Sequence, residues 1–200
     1  MLREHAIIMI GFCFMDSGPI ISGLSYNGKD ENGNDRLDRT PNLEMVKMYT
    51  SCNISQMLRY WNMSTQTWLK YYVFLRMLGP PVPAGEKRKA PGLTPMFITF
   101  GVSAIWHGFY TGYMLFFMMA GYTSWQTTLA QRNVMPRVNA LGIPGFVSYF
   151  VAWVYLWLNT AYWVVPFYLL NWDRYDKVLA SMNYSLHYVT AGVTIFLLIV

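Results

Sequence analysis

Apolar positions in this chain come in long blocks, not in short alternating or amphipathic stripes. The longest block covers residues 93–131, which are 39 positions without an Asp, Glu, Lys or Arg. A bilayer core is crossed by about 20 apolar residues of helix, so residues 93–121 are predicted as a membrane span. A second strong block is centred on residues 146–170. Its Tyr149, Trp153, Tyr155, Trp157, Tyr162 and Trp163 suit an aromatic belt and helix packing. Residues 184–200 give a third span. Residues 6–24 give a weaker one, reduced by Asp16 and broken at Gly18-Pro19.

Residues 25–92 read differently. Asn27-Gly28 and Asn32-Gly33 are turn dipeptides in a polar loop over 25–40. Residues 45–60 predict a short interfacial helix. Residues 64–78 predict another, with Trp68, Leu69, Tyr72, Phe74 and Leu75 alongside Lys70 and Arg76. Those charges make it a poor lipid-exposed span, so an interfacial or re-entrant position fits better. Residues 79–92 hold four prolines and Lys87-Arg88-Lys89. The pattern predicts an all-α, polytopic membrane protein, with 1–200 as a single membrane-embedded region.

Composition agrees. The chain is 54% hydrophobic, 18% aromatic and 12% charged, against about 25% charged in soluble domains. The net charge of +5 is spread over connecting segments. There is no dense basic run or nucleic-acid motif, so it points to a membrane surface or an anionic ligand. Cys13 and Cys52 have neither metal-ligand spacing nor the density of a disulfide scaffold, so no metal or bound cofactor is expected. The apolar run after residue 5 resembles a signal-peptide core, but Glu4 and the missing small-residue cleavage site argue against one.

His107 is the exception inside the longest apolar block. An ionisable side chain within a membrane segment is a functional-site hypothesis by default. On a continuous helix, Thr99, Ser103, His107 and Thr111 share one face at four-residue spacing, with Tyr110 beside them. Such a stripe faces protein or water, because lipid cannot satisfy it. Gly108 and Gly112 at the same spacing would allow close helix approach. With no carboxylate in the span, His107 is expected to be neutral at pH 7, and a neutral imidazole accepts a proton. The plainer reading is that the hydroxyls bond to their own helix and the histidine is a structural hydrogen bonder. His187 is a second, weaker candidate with no motif around it.

Two further segments carry a resemblance. One is Trp61-Asn62-Met63 with Thr65, Trp68 and Leu69. The other is Ser103-Ala104 with Trp106-His107-Gly108, Tyr110 and Gly112-Tyr113. Together with the stretch 21–28 they resemble the membrane-bound O-acyltransferase (MBOAT) family, lysophospholipid acyltransferase branch. Read locally, Asn62 or Ser64 is only a helix N-cap. The resemblance implies instead that Asn62 and His107 are the two active-site positions. It makes Trp61, Thr65, Trp68, Ser103, Trp106, Tyr110 and Thr111 candidate substrate-binding residues. Arg76 and the Lys87-Arg88-Lys89 loop are candidates for anionic groups, although a solvated membrane-flanking loop explains the latter as well.

The resemblance further implies a multi-pass enzyme of the endoplasmic reticulum membrane. It would use acyl-CoA as co-substrate and a lysophospholipid as acceptor. It also implies that the chain is a C-terminal catalytic portion lacking N-terminal helices. His107 would act as general base, and Asn62 would stabilise the oxyanion or orient the acceptor. Two alternatives stand beside it: a catalytically silent or partner-dependent member, and a transporter whose stripe lines a permeation path. Headgroup, acyl chain, orientation and oligomeric state are not legible.

Overall fold

The apolar blocks fold as helices, the only arrangement that satisfies every backbone group within one segment. A computed structural model describes residues 2–80, 83 and 92–200. Its elements are α1 (Leu2–Ile21), α2 (Met45–Tyr49), α3 (Ile54–Arg59), α4 (Met63–Leu69), α5 (Leu75–Met77), α6 (Leu93–His107), α7 (Thr111–Leu129), α8 (Met135–Ala140), α9 (Gly145–Leu169), α10 (Trp172–Ser181) and α11 (Ser185–Ile199). Lys70–Phe74 and Ala130–Val134 are π-helical turns. Among the described residues there is no strand, only two isolated bridges. The all-α expectation therefore holds. The Lys87-Arg88-Lys89 loop lies outside the described residues.

The chain divides into two compact units, Met1–Ser51 with Ser55–Trp68, and Cys52–Ile54 with Leu69–Val200. In the first, the predicted turns form. Gly28 and Gly33 take φ of +80° and +83°, a region that glycine enters without steric cost. The Asp30 carboxylate accepts from the Asn34 side chain and from the backbone N–H groups of Asn34 and Asn32. These bonds, the Asn34 amide foremost, hold it below the usual carboxylate range. Asp16, for which the sequence offered no role, accepts from Asn42 Nδ2 at 2.8 Å. Residues 45–60 make two short helices, not one.

In the second unit, α6 packs on α7 and on the Lys70–Phe74 turn, α7 packs on α9, and α11 packs on α7. Here the expected continuous span over 93–121 is corrected. α6 stops at His107, and Gly108 adopts φ +130°. Its N–H returns to the Ala104 and Ile105 carbonyls, a glycine-terminated helix end. α7 then starts afresh at Thr111. Fifteen residues of α6 reach only about 22 Å at 1.5 Å per residue, short of a ~30 Å hydrocarbon core. Among the described residues, α9 alone is long and apolar enough to cross a bilayer by itself. α10 and α11 qualify as a pair bent by 77°.

The α7–α9 contact depends on Gly112. Its N–H donates to the Leu170 carbonyl at 2.8 Å, and Thr111 Oγ1 donates to the same oxygen at 3.2 Å. The first N–H groups of α7, which have no partner within their own helix, are thereby partly satisfied by the end of α9. A Cβ on Gly112 would overlap the Pro166 carbonyl and lie 2.8 Å from that of Leu170. Gly112→Ala is therefore expected to destabilise by about 1–3 kcal/mol or more, because backbone cannot yield as a side-chain tip can. Thermal unfolding in detergent measures this. Gly101→Ala, whose Cβ would meet only Met118 Cε at 3.6 Å, serves as the tolerated control. Equal melting temperatures for Gly112→Ala and the parent would overturn the account.

A buried polar network ties α7, α9 and α11 together. Gln126, only 1% exposed, donates to the Thr190 carbonyl at 3.0 Å and to Thr194 Oγ1 at 2.7 Å. Tyr155 donates to Gln126 Oε1 at 3.0 Å. Thr194 Oγ1 donates to the Thr190 carbonyl and pairs with the Tyr122 hydroxyl at 2.6 Å. Thr190 Oγ1 donates to Asn159 Oδ1. Each polar group thus gains a partner that surrounding hydrocarbon cannot supply.

Candidate functional site

The predicted residues divide between the two units. In the first, Asn62 occupies the position before α4 with φ +47°. Asparagine is one of the few non-glycine residues that tolerates this left-handed region. Its carbonyl accepts from Gln66 N at 3.0 Å, and Met63 N donates to the Asn42 carbonyl at 2.9 Å. The backbone is thus held on both sides of the Asn62 side chain. Trp61 pairs with Leu43 in an isolated bridge and meets the Phe12 ring edge-on at 5.0 Å. Thr65 is half-buried, and Trp68 is exposed.

In the second unit, His107 is the last residue of α6. It is half-buried, and its surroundings are aromatic. The rings of Trp106, Phe117, Phe167 and Tyr113 have centroids 4.8, 4.9, 5.4 and 5.5 Å from that of the imidazole. Among the described residues neither ring nitrogen has a hydrogen-bond partner. Among the described residues the imidazole is therefore held by packing, with its nitrogens uncommitted to protein groups. Trp106, Phe109 and Tyr110 are 65%, 86% and 47% exposed, so the turn after His107 is open and aromatic.

The expected polar stripe survives only in part. Ser103 is buried in α6. Thr99 Oγ1 donates to the Pro95 carbonyl at 2.7 Å, the bond to its own helix that the plainer reading foresaw. Thr111 lies beyond the Gly108 break, and its hydroxyl serves the junction with Leu170. It does not continue the His107 face, because that face ends with α6. Gly108 and Gly112 likewise do not share a helix. Tyr110 stands at the N-cap of α7. Arg76 is exposed, with its guanidinium 5.4 Å from the Tyr72 ring centroid.

Sequence reasoning missed Phe167 and Phe117 as neighbours of His107. Phe167 lies in α9, far along the chain and outside any motif. It also passed over the setting of His187. There, Nδ1 pairs with the Tyr162 hydroxyl at 2.7 Å, and the Trp163 ring lies 4.7 Å from the imidazole, edge to face. No group of three or more His, Cys, Asp or Glu that would hold a metal ion is found among the described residues.

Among the described residues, a motif histidine closes a short apolar helix and a motif asparagine precedes another helix. The chain belongs to the membrane-bound O-acyltransferase family, whose model matches residues 1–165. It is similar to a lysophospholipid acyltransferase of Schizosaccharomyces pombe, 32% identical over 90% of this chain and 35% of that protein. It is also similar to a lysophospholipid acyltransferase of Saccharomyces cerevisiae, 30% identical over 94% of this chain and 32% of that protein. Membrane-bound glycerophospholipid O-acyltransferase 1 of Homo sapiens is 31% identical over 88% of this chain and 33% of its own length. The chain spans about a third of the length of these relatives. That the chain is a membrane protein rests on the family, since among the described residues one helix is long and apolar enough to cross a bilayer by itself.

Proposed function

We propose that this chain carries the acyl-transfer residues of a lysophospholipid O-acyltransferase that uses acyl-CoA. The observation that carries the reading is His107. It is the motif histidine of the family, it sits among aromatic rings, and its nitrogens are not engaged by described protein groups. The names of the relatives support a lysophospholipid as acceptor. The reading places the protein in the endoplasmic reticulum membrane.

In the proposed step the imidazole takes the proton from the free hydroxyl of the lysophospholipid. The oxygen attacks the thioester carbonyl, an ester bond forms and the carbon–sulfur bond breaks, and the imidazolium returns its proton to the sulfur so that CoA leaves as the free thiol. Asn62 donates an amide N–H to the carbonyl oxygen as negative charge develops, or orients the acceptor. Direct transfer needs no Ser or Cys nucleophile.

The test supplies labelled acyl-CoA and a panel of lysophospholipids to membranes carrying the protein. Label is expected in the diacyl phospholipid of one or more headgroups, above membranes without the protein. Label that stays in acyl-CoA and free fatty acid across the whole panel would sink the reading in favour of a catalytically silent member.

A further inference from the structure

A general base must present one chosen nitrogen within hydrogen-bond reach of the proton it takes. The two imidazole nitrogens are distinct, and a half-turn about the terminal torsion puts a ring carbon where each nitrogen stood. That torsion has broad wells, so something must hold the ring. A hydrogen bond to the second nitrogen is the common device. Among the described residues His107 has none. Its backbone gives little restraint either, because α6 ends at His107 and Gly108 turns away at φ +130°.

Ring packing is what remains. Tyr113 and Phe117 come from α7, one helical turn apart, and Trp106 is the chain neighbour. Phe167 approaches from α9, at 5.4 Å and 73° to the imidazole plane. It is also the ring that joins the others. Its centroid lies 4.9 Å from Tyr113, 5.1 Å from Phe116 and 6.2 Å from Phe117. Phe167 is fixed in turn by the end of its own helix. Three residues on, Leu170 takes the left-handed φ of +64°, strained for a branched side chain. In that conformation its carbonyl receives the Gly112 N–H and the Thr111 hydroxyl. The last turn of α9 is thereby locked to the first turn of α7, which carries Tyr113.

We propose that Phe167 is a positioning residue for His107: its ring, delivered by the α9–α7 junction, fixes the orientation of the imidazole that takes the proton. The proposal rests on the reading of His107 as general base. A phenyl ring suits the task because it sets a flat, rigid aromatic body against the imidazole. An aliphatic side chain of similar bulk fills the space but presents no flat face to stop the imidazole rotating.

The test compares Phe167→Leu with Phe167→Tyr in membranes carrying the protein. Phe167→Leu is expected to lower kcat about 10-fold or more, because small misplacements of a reacting group are costly. KM for both substrates should stay within about twofold, since binding is left intact. The acid limb of the kcat–pH profile should move in Phe167→Leu and stay in place in Phe167→Tyr, which retains the ring and turnover within about threefold.

A second measurement does not depend on turnover. The rate at which diethyl pyrocarbonate modifies His107, read by peptide mass spectrometry, should change severalfold in Phe167→Leu only. Phe167→Met is the second variant if Phe167→Leu does not accumulate, with the same outcomes expected. Wild-type kcat with an unmoved profile would overturn the proposal. So would a kcat loss with unchanged modification of His107. Full turnover in His107→Ala would instead remove the general-base reading, and the modification rates would still decide whether Phe167 holds the ring.

Discussion

His107→Ala is expected to lower acyl transfer by about 10²–10⁴, the range that a positioned general base supplies, with protein accumulation close to that of the parent. The physical case begins with cost. An ionisable side chain in an apolar helix is retained where it has work to do, and here it is seated among four aromatic rings. Removing the imidazole also removes ring contacts, so the alanine variant alone conflates chemistry with packing. His107→Gln separates them, since it keeps length and a polar tip but cannot accept and return a proton at neutral pH. Both variants are expected to lose kcat with KM for acyl-CoA little changed, the pattern of an interaction made only in the transition state. Turnover within about threefold of the parent in either variant would remove His107 as base, since the loss would fall far below that range.

The two strongest apolar blocks, residues 146–170 and 93–121, show what was legible. Residues 146–170 predict a helix close to α9, because an uncharged, largely apolar run follows Ile143-Pro144-Gly145 and stops before Asn171. Residues 93–121 are equally free of charge, yet they fold as two helices. The signal was present: a histidine in a last turn followed by glycine is a helix stop. It was masked because a glycine in an apolar run also reads as a packing surface. Gly112 does provide close approach, but to the carbonyl end of α9 and not to a face shared with Gly108.

Tertiary pairings leave weaker traces. Gln126, Asn159, Thr190 and Thr194 belong to no motif in the sequence. Only the fold shows that they satisfy one another. Phe167 is one of many aromatics in α9, and nothing local distinguishes it. Its role follows from where Leu170 docks, which depends on a glycine more than 50 positions earlier. Motifs mark the candidate residues, while the groups packed around His107 come from contacts between distant helices.

Asn62 requires a series of variants, because two explanations share one residue. Its φ of +47° is itself a reason for asparagine, since other side chains pay for that conformation. If the backbone were its whole role, Asn62→Gly would restore what Asn62→Ala loses. If the amide donates to the oxyanion, Asn62→Gly fails as badly as Asn62→Ala. Asn62→Asp, which keeps the shape but offers no donor when ionised, fails as well. The proposed role predicts the second pattern, with kcat down about 10²–10³, or about 2.7–4 kcal/mol, the cost of one oxyanion donor. The strain relieved by glycine is of order 1–3 kcal/mol and should register as stability, not rate. Asn62→Gly is therefore expected to melt at or above the temperature of Asn62→Ala while remaining as inactive. Recovery of turnover to within about threefold of the parent in Asn62→Gly would reduce Asn62 to a backbone residue and leave the oxyanion without a donor from α4.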